Sequence, residues 1–233
     1  MIKRFRWAIL AAAMLALAAC GGGNGGDGGG EEADGEASGE TITVASDIAY
    51  RPFEFVQDGE PVGFDVDLIN EVGERAGYEV NLQNVTFDGI IPGLQSETYA
   101  AAISAMTITE EREQNVDFSE PYFNADQSLL VQSGSEIQSI DDIAQDTLIG
   151  AQRGTTGEAL ANETAEEVGT EVRSYNTVED AFSALENDQV QAVINDFPVS
   201  ADRVQQTGDA LEIVETIETG EQYGIAFPTD SEL

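Results

Sequence analysis

The chain contains no histidine, and Lys3 is its only lysine. Histidine is the usual general base at neutral pH and the commonest metal ligand, so its absence disfavours those kinds of catalysis and metal binding. The net charge is −36, and phosphate binding depends on lysine and arginine, so nucleic acid is disfavoured as a partner. We expect no metal, no cofactor and no nucleic acid.

The N-terminal apolar stretch, Trp7–Ala19, is too short to span a membrane, which takes roughly 20 residues. It follows three basic residues, and this pattern predicts a cleaved leader over residues 1–19. The leader ends in Leu-Ala-Ala before Cys20, the only cysteine, as in a bacterial lipoprotein box. We expect a lipidated Cys20 and an extracytoplasmic protein anchored to the cell membrane. An ordinary secretory leader with an incidental cysteine is the alternative.

Residues 21–40 contain ten glycines and six acidic residues, a composition that cannot bury enough apolar surface to fold. We therefore expect residues 20–40 to form a disordered tether. Without the three cations of the leader, the net charge falls from −36 to −39. Such acidity resembles that of halophilic proteins, in which salt screens self-repulsion. The alternative is an acidic proteome without salt adaptation.

From Thr41 onwards, short apolar runs alternate with amphipathic segments, which predicts βα units. The first series has predicted strands over 41–46, 80–85 and 100–104, a helix that Asp65 caps and Gly77 ends, a short helix around Ile90, and a helix that Thr109 caps. The second series has a short turn over 140–144, predicted strands over 148–151, 171–174, 190–194, 211–216 and 223–227, and helices over 158–168, from Thr177, and through about 205. Two series predict two lobes, with connections near 130–134 and 219–223.

Short polar motifs follow strands of both series. They are Asp47, Ala105-Met106-Thr107 with Arg112, Gly154-Thr155-Thr156, and Asn195-Asp196. In open α/β sheets, ligands bind beyond the carboxyl ends of the strands. An isolated arginine, two carboxylates and a Gly-Thr-Thr turn together suit a small zwitterion.

Seven motifs in order carry a family resemblance. They are Asp47-x-x-Tyr50-x-Pro52-Phe53-Glu54-Phe55, Gly63-Phe64-Asp65-Val66-Asp67-Leu68, Phe87–Leu94, Met106–Arg112, Val116–Tyr122, Gly154–Gly157 and Ala192–Asp196. Their order and spacing from Thr41 to the end resemble the polar amino-acid-binding proteins of ABC importers, bacterial solute-binding protein family 3. The nearest types are the histidine-, glutamine- and lysine/arginine/ornithine-binding proteins.

The resemblance implies an α/β fold of the two-lobed, type II periplasmic-binding-protein kind, each lobe a mainly parallel sheet flanked by helices. It implies lobe 1 over 41–131, lobe 2 over 132–220 and a return to lobe 1 over 221–233. Members of the family continue into one or two further helices that pack on the first lobe. We expect a chain ending at Leu233 to expose apolar surface there and to be less stable than a full-length relative.

Arg112 has the clearest implied role. In this family the matching arginine grips the ligand α-carboxylate through two parallel N–H···O bonds, a geometry that guanidinium suits. The resemblance implies that Thr107 helps through its hydroxyl and backbone N–H, and that Ala105 offers its backbone carbonyl to the α-ammonium. Thr156, at a helix N-terminus, favours the anion. The alternatives are a surface arginine paired with an acidic neighbour, and plain helix capping by Thr156.

The resemblance also implies that Asp196 pairs with the α-ammonium, because a cation buried between closed lobes demands a carboxylate. A simple turn aspartate is the alternative. Tyr50 and Phe87 are implied to sandwich the ligand side chain, with ordinary core positions as the alternative.

The identity of the ligand depends on the remaining polar residues. Asp47 matches a residue that often hydrogen-bonds the ligand side chain, and Gln152 occupies a variable position facing that side chain. These residues favour glutamine, histidine or arginine, whereas Arg153 beside the pocket leaves an acidic ligand open.

The resemblance implies a receptor and not an enzyme: it captures a polar amino acid between two closing lobes and delivers it to ABC permease subunits. A cyclohexadienyl or arogenate dehydratase-like enzyme on the same fold is the first alternative. A sensor module is the second. Fold alone does not choose between them.

Overall fold

A computed structural model describes residues 39–233 of the chain. The predicted leader, the lipidation site at Cys20 and the tether up to residue 38 lie outside the described residues. Within residues 39–233, no helix combines the length and apolarity needed to cross a membrane.

The first sheet has the strand order β4-β1-β5-β12-β6. Its strands are β1 (Glu40–Ser46), β4 (Tyr78–Asn84), β5 (Ala101–Ala102), β6 (Asp117–Phe118) and β12 (Ala226–Phe227). A hairpin of β2 (Phe55–Gln57) and β3 (Glu60–Val62) and the helices α1 (Phe64–Ala76), α2 (Phe87–Gln95) and α3 (Glu110–Glu113) accompany it. We call these elements the first lobe.

The second sheet has the strand order β11-β7-β10-β8-β9. Its strands are β7 (Phe123–Gln132), β8 (Ile149–Gln152), β9 (Val172–Tyr175), β10 (Ala192–Asp196) and β11 (Leu211–Tyr223). The helices are α4 (Thr156–Val168), α5 (Val178–Glu186) and α6 (Phe197–Thr207), with 3₁₀ turns at Ile140–Asp142 and Gly208–Ala210. We call these elements the second lobe.

The predicted two-lobed α/β fold is confirmed, but each sheet is mixed and not mainly parallel. In the first sheet β1 pairs in parallel with β4 and β5, whereas β12 runs antiparallel to β5 and β6. In the second, β8 pairs in parallel with β9 and β10, whereas β7 runs antiparallel to β10 and β11. The antiparallel strands are those at which the chain passes from one sheet to the other. The predicted boundaries at 131/132 and 220/221 stay predictions.

Three of the predicted helix ends are confirmed. Gly77 ends α1 in the left-handed conformation, with φ 83°. The Thr109 hydroxyl accepts from the backbone N–H of Arg112 at the start of α3, and Thr177 caps α5 in the same way. These contacts satisfy N–H groups that a helix start leaves free.

The prediction that Asp65 caps α1 is wrong. Gly63 is the N-cap, and Asp65 lies inside the first turn with a fully buried side chain. Its Oδ2 instead accepts hydrogen bonds from the backbone N–H of Ala105 and the hydroxyl of Tyr122. Gly63 adopts φ 131°, and a Cβ there would lie 2.2 Å from the carbonyl oxygen of Phe53. Glycine is therefore required where the chain enters α1.

An aromatic cluster packs where the chain crosses between the sheets. The rings of Phe53, Phe64, Tyr122, Phe123 and Tyr223 contact one another, with centroid separations from 5.0 to 6.1 Å. Tyr122 and Phe123 belong to the first crossing, and Tyr223 belongs to the return. One cluster therefore joins both connections, and we call it the hinge cluster.

Candidate functional site

A cavity lies between the lobes, where strands of both sheets end, with about 270 Å³ of empty space when its opening to solvent is included. Its lining consists of Asp47, Tyr50, Phe87, Ser104, Ala105, Thr107, Arg112, Gln152, Thr155, Thr156 and Asp196. The structure thus brings all nine ligand-binding residues predicted from the sequence to one place, and adds Ser104 and Thr155. Their contacts with a ligand stay a prediction.

The first lobe supplies its side of the cavity from segments that follow β1 and β5. Asp47 comes directly after β1, and residues 104–107 come after β5. Ala105 adopts φ 45°, an unusual conformation for a residue with a Cβ. This turn directs the segment along the cavity wall, and a backbone bridge between Thr107 and Tyr223 fixes its far end.

The second lobe supplies its side from the ends of β8 and β10. Gln152 is the last residue of β8, and Asp196 is the last residue of β10. Between them in the chain, Thr155 caps α4 through a hydrogen bond from the backbone N–H of Glu158, and Thr156 is the first helical residue. The N-terminus of a 13-residue helix therefore faces the cavity, a position that favours an anion.

Arg112 is buried beside the cavity, with 8% of its surface exposed. It donates from Nη1 to the carbonyl oxygen of Thr107 at 2.6 Å and from Nη2 to that of Gly154 at 3.0 Å. No salt bridge among residues 39–233 includes it. Burial lowers its pKa below the ordinary value, although arginine stays charged. The alternative of a surface arginine paired with an acidic neighbour is therefore wrong.

Asp196 is buried on the opposite side, with 4% exposure. Its Oδ1 accepts from Gln127 Nε2 at 2.5 Å, and its Oδ2 accepts from the hydroxyl of Tyr223. Burial raises the pKa of Asp196 to about 6, and the nearby charge of Glu221 adds to the effect. Within the described part of the chain, no cation forms a salt bridge with this carboxylate.

Asp47 and Gln152 meet across the cavity. Gln152 Nε2 donates to Asp47 Oδ2 at 2.5 Å and to the carbonyl oxygen of Asn176 at 3.2 Å, while its Oε1 is buried without a partner. Burial raises the pKa of Asp47 to about 6; the hydrogen bond from Gln152 lowers it, and Asp88 raises it. This end of the cavity is therefore negative and lacks a cation among the described residues.

Tyr50 and Phe87 both line the cavity and are also largely buried, at 6% and 9% exposure. Tyr50 donates from its hydroxyl to Asn195 Oδ1 at 3.0 Å, so it spans from the first lobe to the second. Phe87 lies under the guanidinium of Arg112, 5.3 Å from ring centroid to Cζ. Both therefore take part in packing and also line the cavity, and their contact with a ligand side chain stays a prediction.

Glu221 is a site residue that the sequence did not indicate. Its Oε2 accepts from the Thr107 hydroxyl at 2.9 Å, from the Thr156 hydroxyl at 2.8 Å and from Gln127 Nε2 at 3.1 Å. One carboxylate thus joins both lobes behind the cavity wall. It comes from the far end of β11, and no local pattern places that strand against Thr107. Ser104 and Thr155 were likewise missed: Ser104 is the last residue of a predicted strand, and Thr155 belongs to the Gly154-Thr155-Thr156 motif.

Arg153 does not line the cavity. Its side chain is exposed and donates to Asn176 Oδ1 at 2.9 Å. Arg153, the cation that left an acidic ligand open, therefore lies outside the site. Among the described residues that line the cavity, Arg112 is the one with a cationic side chain.

Two α/β lobes around a closed polar cavity, built from the ends of strands in both sheets, define a two-lobed solute-binding protein. Residues 42–157 match the model of the bacterial extracellular solute-binding proteins, family 3. The chain is 31% identical to the arginine-binding extracellular protein ArtP of Bacillus subtilis (strain 168), over 98% of this chain and 88% of that protein. The chain therefore belongs to family 3 of the bacterial extracellular solute-binding proteins.

Solved structures agree with this assignment. An ancestral arginine-binding protein bound to arginine superposes with a TM-score of 0.78 at 37% identity, over 82% of this chain and 85% of that one. An ancestral amino-acid-binding protein, described as a precursor of cyclohexadienyl dehydratase, superposes with a TM-score of 0.76 at 33% identity, over 82% of each chain.

Proposed function

We propose that this protein captures a polar amino acid with a cationic side chain, arginine being the first candidate, and delivers it to an ABC permease. One observation carries the proposal. A buried arginine and a buried aspartate line the same cavity from opposite lobes, and neither forms a salt bridge within the described residues. An α-amino acid carries one charge of each sign and supplies both missing partners.

The α-carboxylate of the ligand belongs beside Arg112 and the start of α4. Arg112 presents a planar fork of donors, and the free N–H groups at the helix N-terminus add further donors. The Arg112 guanidinium donates to two backbone carbonyls and forms no salt bridge within residues 39–233, so an anion adds bonds there without breaking an ion pair. The hydroxyls of Thr107 and Thr156 donate to Glu221 or to each other, which leaves N–H groups as the donors for the ligand.

The α-ammonium belongs beside Asp196 and the carbonyl oxygen of Ala105. A buried carboxylate whose pKa is about 6 is ionised at neutral pH and is held in place by Gln127 and Tyr223. Burial of an unpaired charge costs several kcal/mol, and a cation at this position removes much of that cost. The ligand charge therefore stabilises the closed arrangement of the lobes.

The side chain of the ligand then points toward Asp47 and Gln152, between Tyr50 and Phe87. With Arg112 and Asp196 neutralised by the ligand backbone, Asp47 is the remaining charge in the lining. A guanidinium or another cation on the ligand can pair with the Asp47 carboxylate, and the rings of Tyr50 and Phe87 offer flat faces on which that cation can stack. An acidic side chain would leave two negative charges together in a buried site.

Closure of the two lobes is the mechanism we propose for capture. Contacts from both lobes exist only when the lobes are together, so a ligand that binds both shifts the population toward the closed state. The relatives named above are extracellular or amino-acid-binding proteins, and this supports an extracytoplasmic receptor. The high acidity supports function in high salt, and the leader ending at Cys20 supports a lipid anchor.

The anchor has its own test. In a bacterial host, the chain should fractionate with membranes, and Cys20→Ser should release it in soluble form. A membrane-bound Cys20→Ser variant would contradict lipid anchoring at this residue.

A dehydratase-like enzyme is the second candidate, because one similar structure is described as a precursor of cyclohexadienyl dehydratase. The buried carboxyl groups of Asp47 and Asp196 could act as proton donors, and Arg112 could bind a substrate carboxylate. However, prephenate carries no ammonium and would leave Asp196 without a partner. Measurable turnover of prephenate or arogenate would favour the enzyme.

The experiment that tests the receptor is a calorimetric titration with each of the twenty amino acids in molar salt. We expect arginine to bind, and Arg112→Ala and Asp196→Ala to abolish binding while the protein stays folded. Arg153→Ala and Asp67→Asn, which change exposed residues of the same types, should bind like the parent. A folded protein that binds none of the twenty would overturn the proposal.

A further inference from the structure

Two carboxyl groups lie buried beneath the cavity and outside its lining. Glu54 and Asp65 are each 0% exposed. Glu54 lies between Tyr50 and β2, and Asp65 lies in the first turn of α1. Two adjacent acidic groups without solvent are costly unless their charge is reduced or paired. Their retention therefore calls for a physical explanation.

Each of these carboxyl groups uses one oxygen and leaves the other without a partner. Glu54 Oε1 accepts from the hydroxyl of Ser104 at 2.9 Å. Asp65 Oδ2 accepts from the backbone N–H of Ala105 and the hydroxyl of Tyr122, both at 2.7 Å. Glu54 Oε2 and Asp65 Oδ1 remain unpaired.

A single proton shared by the two groups would let one carboxyl donate to the other, and each has an oxygen free of other hydrogen bonds. A protonated carboxyl is a donor, whereas two ionised ones can only accept. No salt bridge within residues 39–233 involves either group. The titratable neighbours whose charges act on them are Asp47, Tyr50 and Tyr122, and none of these is a cation.

The pair holds the cavity segment that follows β5. Ser104 donates to Glu54 and in turn accepts from the backbone N–H of Asp47 at 3.0 Å. Ala105 keeps its unusual φ of 45° while its N–H bonds to Asp65. A non-glycine residue in this conformation is strained by about 1 kcal/mol or more and persists only where its surroundings fix it. Three residues of the cavity lining therefore depend on the pair.

We propose that Glu54 and Asp65 share one proton and act as positioning residues, holding Ser104, Ala105 and Asp47 in the geometry that receives the ligand. The inference rests on the proposed function, because it assigns the support of the same site. Neither residue contacts the ligand. They act through the backbone N–H of Ala105, whose carbonyl faces the α-ammonium, and through Ser104, which anchors Asp47.

The titration of the pair supports this role. Burial and the adjacent Asp65 raise the pKa of Glu54 well above its ordinary value, which favours a proton on the pair. At alkaline pH the proton leaves, and two buried carboxylates then repel each other beneath Ala105. Binding should therefore weaken at high pH through the protein, in addition to any weakening from loss of the ligand's own ammonium proton.

The first measurement compares arginine affinity of the parent, Glu54→Gln and Glu54→Ala between pH 6 and pH 10. Glutamine keeps an acceptor for Ser104 and a donor for Asp65 but cannot ionise, so E54Q should bind like the parent at pH 7 and better than it at pH 10. E54A loses both bonds and should bind about tenfold more weakly at pH 7, the loss expected for a buried hydrogen bond to a charged group. A parent-like pH profile in E54Q, or E54A binding like E54Q, would overturn the proposal.

The second measurement does not depend on a ligand. At pH 7 the infrared difference spectrum, parent minus E54Q, should show the carbonyl stretch of a protonated carboxylic acid; Glu60→Gln, at an exposed position, should not show it. Amide exchange at Ala105 should be slow in the parent and E54Q and fast in E54A. If the parent binds no amino acid, the proposed function fails, and these two readouts still decide the shared proton. Absence of the carbonyl band would contradict the shared proton. If E54A fails to fold, the carbonyl band and the pH profile of E54Q are enough to test the proposal.

Discussion

Gln152 of the second lobe donates a hydrogen bond to Asp47 of the first, with 2.5 Å between Nε2 and Oδ2. The bond crosses the cavity at the end proposed for the ligand side chain. It satisfies one oxygen of a buried carboxylate and leaves the Gln152 carbonyl oxygen unpaired. A ligand side chain that carries hydrogen-bond donors can bond to both residues at once, which links the choice of ligand to closure.

Asp47→Asn should change the preference of the site. Removal of the charge leaves a cationic side chain without its partner, whereas an amide side chain still finds hydrogen bonds. We expect arginine affinity to fall about 10- to 100-fold, the range for loss of a buried hydrogen-bonded charge pair, and glutamine affinity to change little. Competition calorimetry with both ligands measures this. Equal losses for both amino acids would contradict a charge-selective role.

Binding of arginine should weaken as the pH falls from 7 to 5. The pKa values of Asp47 and Asp196 are about 6 in the free protein, and both carboxylates must be ionised to meet the ligand cations. At pH 5 each is about one-tenth ionised, so each group lowers affinity by roughly tenfold. In Asp47→Asn only Asp196 still titrates, so the affinity for arginine should fall about tenfold between pH 7 and pH 5 and not about a hundredfold. A flat affinity across this range would show that neither carboxylate faces the ligand charges.

The ligand-free protein should lose stability as the pH rises from about 4 to 6. Burial raises the pKa of Asp47, Asp65 and Asp196 from the ordinary value of 3.8 to about 6. Between pH 3.8 and pH 6 the folded state therefore binds more protons than the unfolded state. Under this condition the free energy of unfolding falls with pH, by about 1.4 kcal/mol per pKa unit for each group. Denaturant unfolding at fixed high salt measures this trend, and Asp196→Asn should reduce it. A rising stability over this interval would be inconsistent with these shifts.

Glu221→Ala should open the ligand-free protein. The carboxylate joins the Thr107 hydroxyl of the first lobe to Thr156 and Gln127 of the second, so its removal weakens contacts made only when the lobes are together. We expect a larger radius of gyration without ligand and an unchanged one with arginine bound, measured by X-ray scattering. Glu218→Ala, at an exposed position on the same strand, is the matched control. Identical scattering from all three ligand-free proteins would argue against this contact.

Gly63→Ala should destabilise the first lobe by roughly 1–3 kcal/mol, the range for a residue forced into a sparsely populated backbone region. The added Cβ would meet the carbonyl oxygen of Phe53 at 2.2 Å at a position with φ 131°. Gly59→Ala is a useful comparison, because Gly59 also has a positive φ, 91°, but open space around its Cβ position. Thermal unfolding of the two variants separates the clash from the backbone effect. Equal losses would show that the contact with Phe53 does not matter.

The sequence predicted the elements whose information is local. Helix ends at Gly77, Thr109 and Thr177 follow from the chemistry of single caps, and the structure confirms them. The cavity lining also follows from local order, because each motif comes directly after a strand and the strand ends converge.

Other features depend on residues far apart in the chain and were missed. No strand was predicted over Phe123–Gln132, because its first half is polar and its second half apolar, without a regular alternation. Asp65 has the form of a helix cap, but its partners Ala105 and Tyr122 are 40 and 57 residues away. Glu221 is 114 residues from Thr107. Such contacts arise only when the two sheets are assembled.

Tyr223 connects the hinge cluster directly to the site, because its hydroxyl bonds to Asp196 of the cavity lining. Its ring stacks on Phe123 and meets Phe53 edge-on, while its hydroxyl donates to Asp196 and its backbone bridges to Thr107. A cation arriving at Asp196 competes for the same carboxylate oxygens and so acts on a side chain that belongs to the crossing itself. If the proposed ligand binds there, its ammonium would act directly on a residue of the crossing between the lobes.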